Sequence, residues 1–521
     1  MKLEKIFSYI FRNLNIFKKY IKNYREKRYL DHIFQNSKRT DKLNGKEFVF
    51  NTVKNVKGYI HREMFLGKIL ALNGAKVKIL FDNGLLKHWE SGFDNKRYQN
   101  PIYTFFNKQT IKKPYKFYKD PNLEIIYYQD IINKKKLSFK NLESLKKHAI
   151  SSTIRFFRTS ALDYKKKEVS NFYNCSLYNC VVSRAVGQYI LDNIRPDYFI
   201  TSHGIYSVWG PCYDILKKED NIEAFLYARF HSHSNDPQDM YFTTAKAQTL
   251  TRCKLWKKYK ETPVTQEMRK KVDDLFKSRI GHNTKDTNLY YRDEVKSFTI
   301  NEDENYKYHI AIFPNLIWDG NIQERHLAFD GILDWLTSTI DFLKDRKDVK
   351  IFLKFHPAEV TTFRDSAKIQ DLIKDYLEKN DIYNLVLIPT EKKIDPYEFL
   401  KSGIDLGICY DGMLGLEMVY LKIPVLMGGV RGRFTVEGGN YTINSREEYF
   451  KNLENLGGLI EDFHKNFEHY YEKIVRYTYW YIFENVIKCP IISNKGYRKI
   501  NVFQLTKDDI QLDEKILEIF G

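Results

Sequence analysis

The stretch Ile404 to Gly429, IDLGICYDGMLGLEMVYLKIPVLMGG, leaves little choice of fold. Its mostly apolar run Ile404 to Cys409 is short and partly β-branched. Gly403 and Asp411-Gly412 bound it, so it reads as a buried strand ending in a turn. Met413, Leu416 and Tyr420 then recur at helical spacing. Pro424 stops that helix, and Val425 to Met427 resume a strand closed by Gly428-Gly429. In α/β folds, ligands bind at loops on the C-terminal ends of parallel strands. Gly412 and Gly415 allow close backbone approach in such a loop. Glu417 faces the loop from the first helical turns, where a carboxylate accepts two ribose hydroxyls. The alternative is an ordinary exposed helix glutamate.

Two upstream segments have the same form. Val349 to Phe355 (VKIFLKF) is a strand, followed at once by His356-Pro357-Ala358-Glu359. Pro357 fixes the turn and keeps His356 extended at the strand end. An imidazole there donates to a phosphate oxygen or stabilises charge as a nucleotide leaves; otherwise it is a loop histidine satisfied by backbone. His309 to Pro314 is a strand, then Asn315-Leu316-Ile317-Trp318-Asp319-Gly320, then a helix over Phe329 to Phe342 with Leu333, Leu336 and Ile340 on one face. Trp318 either packs on a base or sugar or anchors the core. Strands near 309–313, 349–355, 384–388, 404–409 and 424–427 alternate with helices, which argues for a parallel sheet covered by helices.

These segments resemble the second half of bacterial capsule and surface-polysaccharide glycosyltransferases of the two-Rossmann GT-B type. Gly415-Leu416-Glu417, Pro424-Val425 and Gly428-Gly429 stand where that group has its GLE helix and glycine strand end. Lys354 to Glu359 (KFHPAE) is similar to the HP motif of that group, and of sialyl- and Kdo-transferases that use CMP-activated sugars. Phe313-Pro314-Asn315 with Trp318-Asp319 resembles the start of its donor domain. Tyr410-Asp411-Gly412 departs from the pattern, because many relatives carry small hydroxyl residues there. The resemblance spans roughly 305–445. It implies an α/β GT-B fold, with two Rossmann-like domains whose parallel sheets face a central cleft. It implies a metal-independent glycosyltransferase with no cofactor beyond a nucleotide-sugar co-substrate. The donor would be held by Asn315, Trp318, Asp319, His356, Pro357, Glu359, Asp411, Gly412, Gly415, Glu417, Gly428 and Gly429, and the acceptor would be a glycan or glycolipid.

The N-terminal half is read as the acceptor side. Lys46 to Phe50 opens it as a strand. Gly58 to Leu72 is a helix with Met64, Phe65, Ile69 and Leu72 on one stripe, and Val77 to Phe81 returns as a strand. His61, Arg62 and Glu63 at the helix start either meet the acceptor or form a solvated helix end. Residues 83–121 read as an aromatic, basic insertion, Lys134 to His148 as a Lys-rich helix, and Cys180 to Ile194 as a further helix. Strands are expected at Leu123 to Tyr128, Tyr198 to Thr201 and Glu223 to Ala228. A general base must take the acceptor hydroxyl proton. His203, just after the strand Tyr198 to Thr201, is the first choice, then Asp236, then Glu63; His356 completes the catalytic set. His231 and His233 share a face without a further ligand set, and no metal is expected. Arg269 to Tyr306 reads as a polar connection in which Arg279 reaches a donor phosphate or merely links. Tyr470 to Val486 reads as one aromatic helix. The expected division is 1–44, 45–300, 301–465 and 466–521, the last crossing back to the first domain.

The 521 residues carry a net charge of +19, which favours anionic partners. Nine Lys and Arg residues fall within Met1 to Leu30, interleaved with apolar residues at three and four, as in a basic amphipathic helix. Such a helix lies on an anionic bilayer or packs on the protein itself. Charges interrupt every apolar run in it, so it is no signal peptide, and no uninterrupted apolar stretch spans a membrane. The six cysteines form no C-x-x-C pair, as expected of free thiols in a reducing cytoplasm, and the basic helix would make the cytoplasmic protein peripheral on the inner face of the membrane. Two other readings stay open. One is a glycerophosphotransferase using CDP-glycerol, for which His203 and His356 would be the histidine pair. The other is a non-enzymatic basic scaffold, although no nucleic-acid-binding signature is present.

Overall fold

The computed structural model describes residues 22–52, 57–88, 117–229, 236–246, 254–281, 300, 306–496, 499–511 and 514–520. The first sheet takes β1 Glu47–Thr52, β2 Lys76–Phe81, β3 Leu123–Tyr127, β4 Tyr198–Thr201, β5 Glu223–Arg229 and β6 Asp239–Thr243. The second takes β7 Tyr308–Phe313, β8 Val349–Lys354, β9 Leu385–Ile388, β10 Leu406–Cys409 and β11 Val425–Met427. A last strand, β12 Val486–Lys488, returns to the first sheet. The orders are β12-β6-β5-β4-β1-β2-β3 and β11-β10-β7-β8-β9.

Both sheets follow one rule. The chain starts in the middle, runs to one edge, then crosses to the other side of its first strand. All pairs of the second sheet are parallel. The first sheet is parallel from β3 through β5, and only the β5–β6 and β6–β12 pairs are antiparallel. Each sheet therefore has a switch point, between β1 and β4 and between β7 and β10, where the strand-end loops diverge and leave a crevice. This is the expected α/β class, with two Rossmann-like halves.

The helices that matter below are α1 Lys57–Leu72, α2 Glu143–Phe157, α3 Lys167–Asn193, α4 Gln266–Ile280, α5 Ile332–Leu343, α6 Leu414–Tyr420, α7 Phe467–Tyr479 and α8 Glu514–Phe520. They cover both faces of each sheet, which is why the central strands are apolar on both sides. Along β7, Ile310 and Ile312 pack toward Trp335, Leu336 and Ile340 of α5. Ala311 and Phe313 face the opposite core, with Leu416 and Val419 of α6. Each large apolar side chain buried this way contributes about 2 kcal/mol.

After α7 the chain makes a π-helical turn at Trp480–Glu484, and β12 then pairs with β6, Val486 opposite Tyr241. Phe520 of α8 inserts among Phe48, Tyr198, Phe225 and Phe242. The C-terminal segment is thus part of the first core.

Several local expectations are corrected. Tyr470 to Val486 is not one helix. Lys134 to His148 is broken: one helix ends at Lys134, and α2 begins at Glu143. The polar stretch from Arg269 starts inside α4, whose Thr265 cap accepts from the Met268 N–H at 3.2 Å. His61, Arg62 and Glu63 are not a solvated helix end; all three are buried. His61 Nδ1 lies 2.7 Å from the Tyr118 hydroxyl, and Tyr227 donates to Glu63. Of the basic N-terminal segment, residues 22–35 are helical, and Leu30, Ile33 and Phe34 join the first core. That part packs on the protein itself; residues 1–21, like His231 and His233, lie outside the described residues.

Candidate functional site

The β7–β10 switch point is closed from below by a hydrogen-bonded hub. Asn315, just after β7, accepts the Asp411 N–H at 2.9 Å, tying the two diverging loops together. The Asp411 carboxylate accepts from Arg325 Nε at 2.9 Å, from the Phe434 N–H at 3.1 Å and from the Arg433 N–H at 3.2 Å. Asp411 and Arg325 are both buried. The carboxylate that the sequence assigned to the donor thus organises the loop.

Glu417 is corrected in the same sense. It is 1% exposed, and both of its oxygens have protein partners: Arg279 Nε on one, and the Tyr397 hydroxyl on the other at 3.0 Å. Arg279 accordingly braces α4 against α6. The glycines serve close packing. A Cβ on Gly428 would lie 2.2 Å from Trp335 Nε1, and one on Gly429 would lie 2.4 Å from the Tyr410 carbonyl oxygen. One on Gly415 would press on Met427 Sδ at 3.1 Å. Gly412 alone of the four has an open flank, its nearest neighbour being Asn315 Nδ2 at 3.8 Å.

The β8 loop is arranged differently. Pro357 begins a short helix, and the Ala358 N–H donates to His356 Nδ1 at 3.1 Å. Accepting there requires the imidazole proton to sit on Nε2. Burial, aided by the neighbouring Lys354 charge, lowers His356 to about 4. At neutral pH the ring is therefore an uncharged donor through Nε2–H. Lys354, at the end of β8, is itself lowered to about 8 by burial, against the pull of Asp395. Glu359 is pushed up to about 7, mainly by burial. One of its oxygens accepts the Ile369 N–H at 3.2 Å, and the other has no hydrogen-bond partner among the described residues.

Trp318 resolves toward the core. It is 6% exposed and packs with Ala358 and Phe363, and its indole N–H has no hydrogen-bond partner among the described residues. The same cluster takes Ile154 from α2, and the Arg158 guanidinium lies over the Phe363 and Trp318 rings at 5.2 and 5.9 Å. The two halves therefore meet at the β7 loop. Ser151 of α2 donates to Gln323 at 2.8 Å. Gly320 has no room for a Cβ, because the Tyr206 hydroxyl would lie 2.7 Å away.

Tyr206 belongs to the loop after β4, at the first switch point. His203 in that loop is half-buried, its ring 5.5 Å from Trp209 and 5.8 Å from Tyr206. Its φ of 51° is left-handed, a conformation that costs a non-glycine residue about 1 kcal/mol or more. The loops carrying His203 and His356 thus both abut the same segment, 316–323. Asp236 does not join them. It accepts from Lys488 Nζ at 2.6 Å and from the Gln238 N–H at 2.9 Å, fastening β12 to the sheet.

Four cationic or titratable groups at this site escaped sequence reasoning: Arg325, His326, Lys354 and Arg433. Burial lowers the Arg433 guanidinium, and Tyr241, Asp411 and Asp319 together more than offset it, so a first-domain tyrosine and two crevice carboxylates surround it. His326 is lowered to about 4 by burial and by Arg325, with Nδ1 2.5 Å from the Tyr410 hydroxyl. The only signal for Arg433 was a basic pair, Arg431 and Arg433, directly after the glycine strand end. Among the described residues, no three His, Cys, Asp or Glu side chains converge as a metal would require.

No protein-family model matches the sequence, and no curated protein matches it. Among solved structures, the chain is similar to the spinosyn rhamnosyltransferase SpnG at 9% identity and a TM-score of 0.28, over 83% of this chain and 95% of that one. The calicheamicin glycosyltransferase CalG4 gives 11% and 0.24, over 83% and 94%. A UDP-N-acetylglucosamine 2-epimerase gives 10% and 0.23, over 84% and 94%. At such scores the likenesses carry no argument about residues or activity.

Proposed function

We propose that the protein is a GT-B glycosyltransferase, moving a sugar from a nucleotide-sugar donor to a surface-polysaccharide or glycolipid acceptor. The observation that carries the reading is the opposition of the β4 loop, with His203, and the β8 loop, with His356, across the shared segment 316–323. In this reading the donor lies at the β7–β10 crevice and the acceptor at the β1–β4 crevice. His356, neutral with its proton on Nε2, donates to a phosphate oxygen as the nucleotide departs. Lys354 and Arg433 supply positive charge to the developing diphosphate or monophosphate. His203 takes the acceptor hydroxyl proton. The HP motif favours a CMP-linked sugar. Peripheral contact with an anionic membrane through residues 1–21 belongs to the same proposal; among the described residues no helix is long and apolar enough to cross a membrane.

The test is thermal stabilisation by CMP-, CDP-, UDP- and GDP-linked compounds, repeated with His356→Ala. One nucleotide class is expected to stabilise the parent, with the shift lost and turnover reduced about 100-fold in the variant. CDP-glycerol as the sole stabiliser would replace sugar transfer with glycerophosphate transfer. No shift with any nucleotide would overturn both.

A further inference from the structure

Residues 431–438 lie between the crevice and a second concavity. Gly432 to Phe434 face Asp411, whereas Arg431 and Thr435 to Gly438 line a cavity of about 930 Å³. Its other walls are the helix Lys254–Tyr259 of the first half and α7. This volume lies within the range of small-molecule sites.

The lining is strongly basic. Lys257, Lys260, Arg431, Lys473 and Arg476 face it against only Glu261 and Glu437. Some of that charge is matched: Lys260 lies 3.5 Å from Glu261, and Arg476 lies 2.6 Å from Glu472. Lys257 and Lys473 form no ion pair among the described residues. Gly438, with φ of 73°, leaves space that Lys473 and His469 enter, each within 3.7 Å of where a Cβ would stand. Two unmatched ammonium groups in one concavity repel each other, and an anion relieves that repulsion.

The remaining lining says which anion. Thr442 and Asn444 offer hydroxyl and amide groups, and the indole of Trp256 adds one aromatic wall. None of the large exposed apolar side chains lines the cavity, so it has no surface to insert into a bilayer. A single largely buried tryptophan is no stacking platform for successive bases. Polar groups, one aromatic wall and excess positive charge in a concave site fit a saccharide bearing carboxylate, sulfate or phosphate groups. We propose that this cavity is a second binding site, for an anionic saccharide, sharing the 431–438 loop with the crevice. The inference goes beyond the transfer reading and does not depend on it.

The test is calorimetric titration of the full chain with a heparin-derived tetrasaccharide, and with maltotetraose as its neutral counterpart. The sulfated tetrasaccharide is expected to bind and maltotetraose not to. Affinity should fall about tenfold in Lys257→Glu/Lys473→Glu and at high salt. Lys257→Gln/Lys473→Gln, which only removes charge, should lose less, and unchanged melting temperatures would exclude misfolding. Absence of binding to the parent, equal binding of maltotetraose, or unchanged affinity in the double variant would overturn the proposal. So would tighter binding of phosphatidylglycerol vesicles or an oligothymidylate, lost in the same variant. Nucleotide-sugar titration of that variant, expected unchanged, separates failure here from failure of the transferase reading.

Discussion

The strand-end loops of β10 and β8 lie on one sheet edge, yet they hold their polar groups in opposite ways. At β10, Asp411 accepts three hydrogen bonds from protein donors and Glu417 two, and just after β11 the space beside Gly428 and Gly429 is filled by Trp335 and Tyr410. At β8, His356 has its Nδ1 fixed and its Nε2 proton defined, and Glu359 keeps an oxygen without a hydrogen-bond partner among the described residues. A glycine-and-carboxylate motif is thus as able to build a rigid scaffold as to bind a ligand. Partner saturation, which only the folded chain reveals, tells the two apart.

The largest expected effect tests the scaffold side. Glu417→Ala breaks a buried ion pair with Arg279, and unfolding stability should fall by about 4 kcal/mol. The folded fraction should keep its nucleotide affinity. Lost affinity with intact stability would return Glu417 to the ligand site and break the comparison.

The β8 loop should show two opposed pH dependences. His356 is depressed from 6.5 to about 4, so the unfolded chain takes up its proton first. Its contribution is full above about 6.5 and is lost as pH falls through 4. Glu359 is raised from 4.5 to about 7, so the folded chain keeps a proton that the unfolded chain has released. Its contribution is full below about 4.5 and is lost as pH rises through 7. Each slope reaches up to about 1.4 kcal/mol per pH unit. Denaturant unfolding between pH 4 and 8 should show His356→Gln flattening the acid side and Glu359→Gln flattening the neutral side. Parallel shifts in both variants would mean that neither group is held as described.

The smallest effect concerns the opposing loop. His203→Gly relieves a left-handed non-glycine residue and should raise stability by about 1 kcal/mol while lowering turnover. A loss of stability with unchanged turnover would make His203 a packing residue.

Much of this architecture was legible in the chain. The strand at Tyr198 to Thr201 was read to the residue, and those of the second sheet to within about two, because short apolar runs closed by glycine or proline have few alternatives. The antiparallel edge was not legible. β6 is five residues long, and β12 is three residues at the end of an aromatic helical period; pairing between strands so far apart leaves no local pattern. His356-Pro357 stands out in the sequence because proline constrains the residue before it. Arg325, Arg433 and Lys354 were missed because a basic residue in a +19 chain carries no information until its surroundings are known.

The sequence by itself determined the alternation of strands and helices, and with it two α/β sheets that are mainly parallel, because hydrophobic periodicity is a local property of neighbouring residues. Only the tertiary structure decided which polar side chains engage one another. Arg279 and Glu417 are 138 positions apart, and Arg325 and Asp411 are 86. A carboxylate's partners, its burial and the cost of removing either are set by whatever the fold brings within about 3 Å of it.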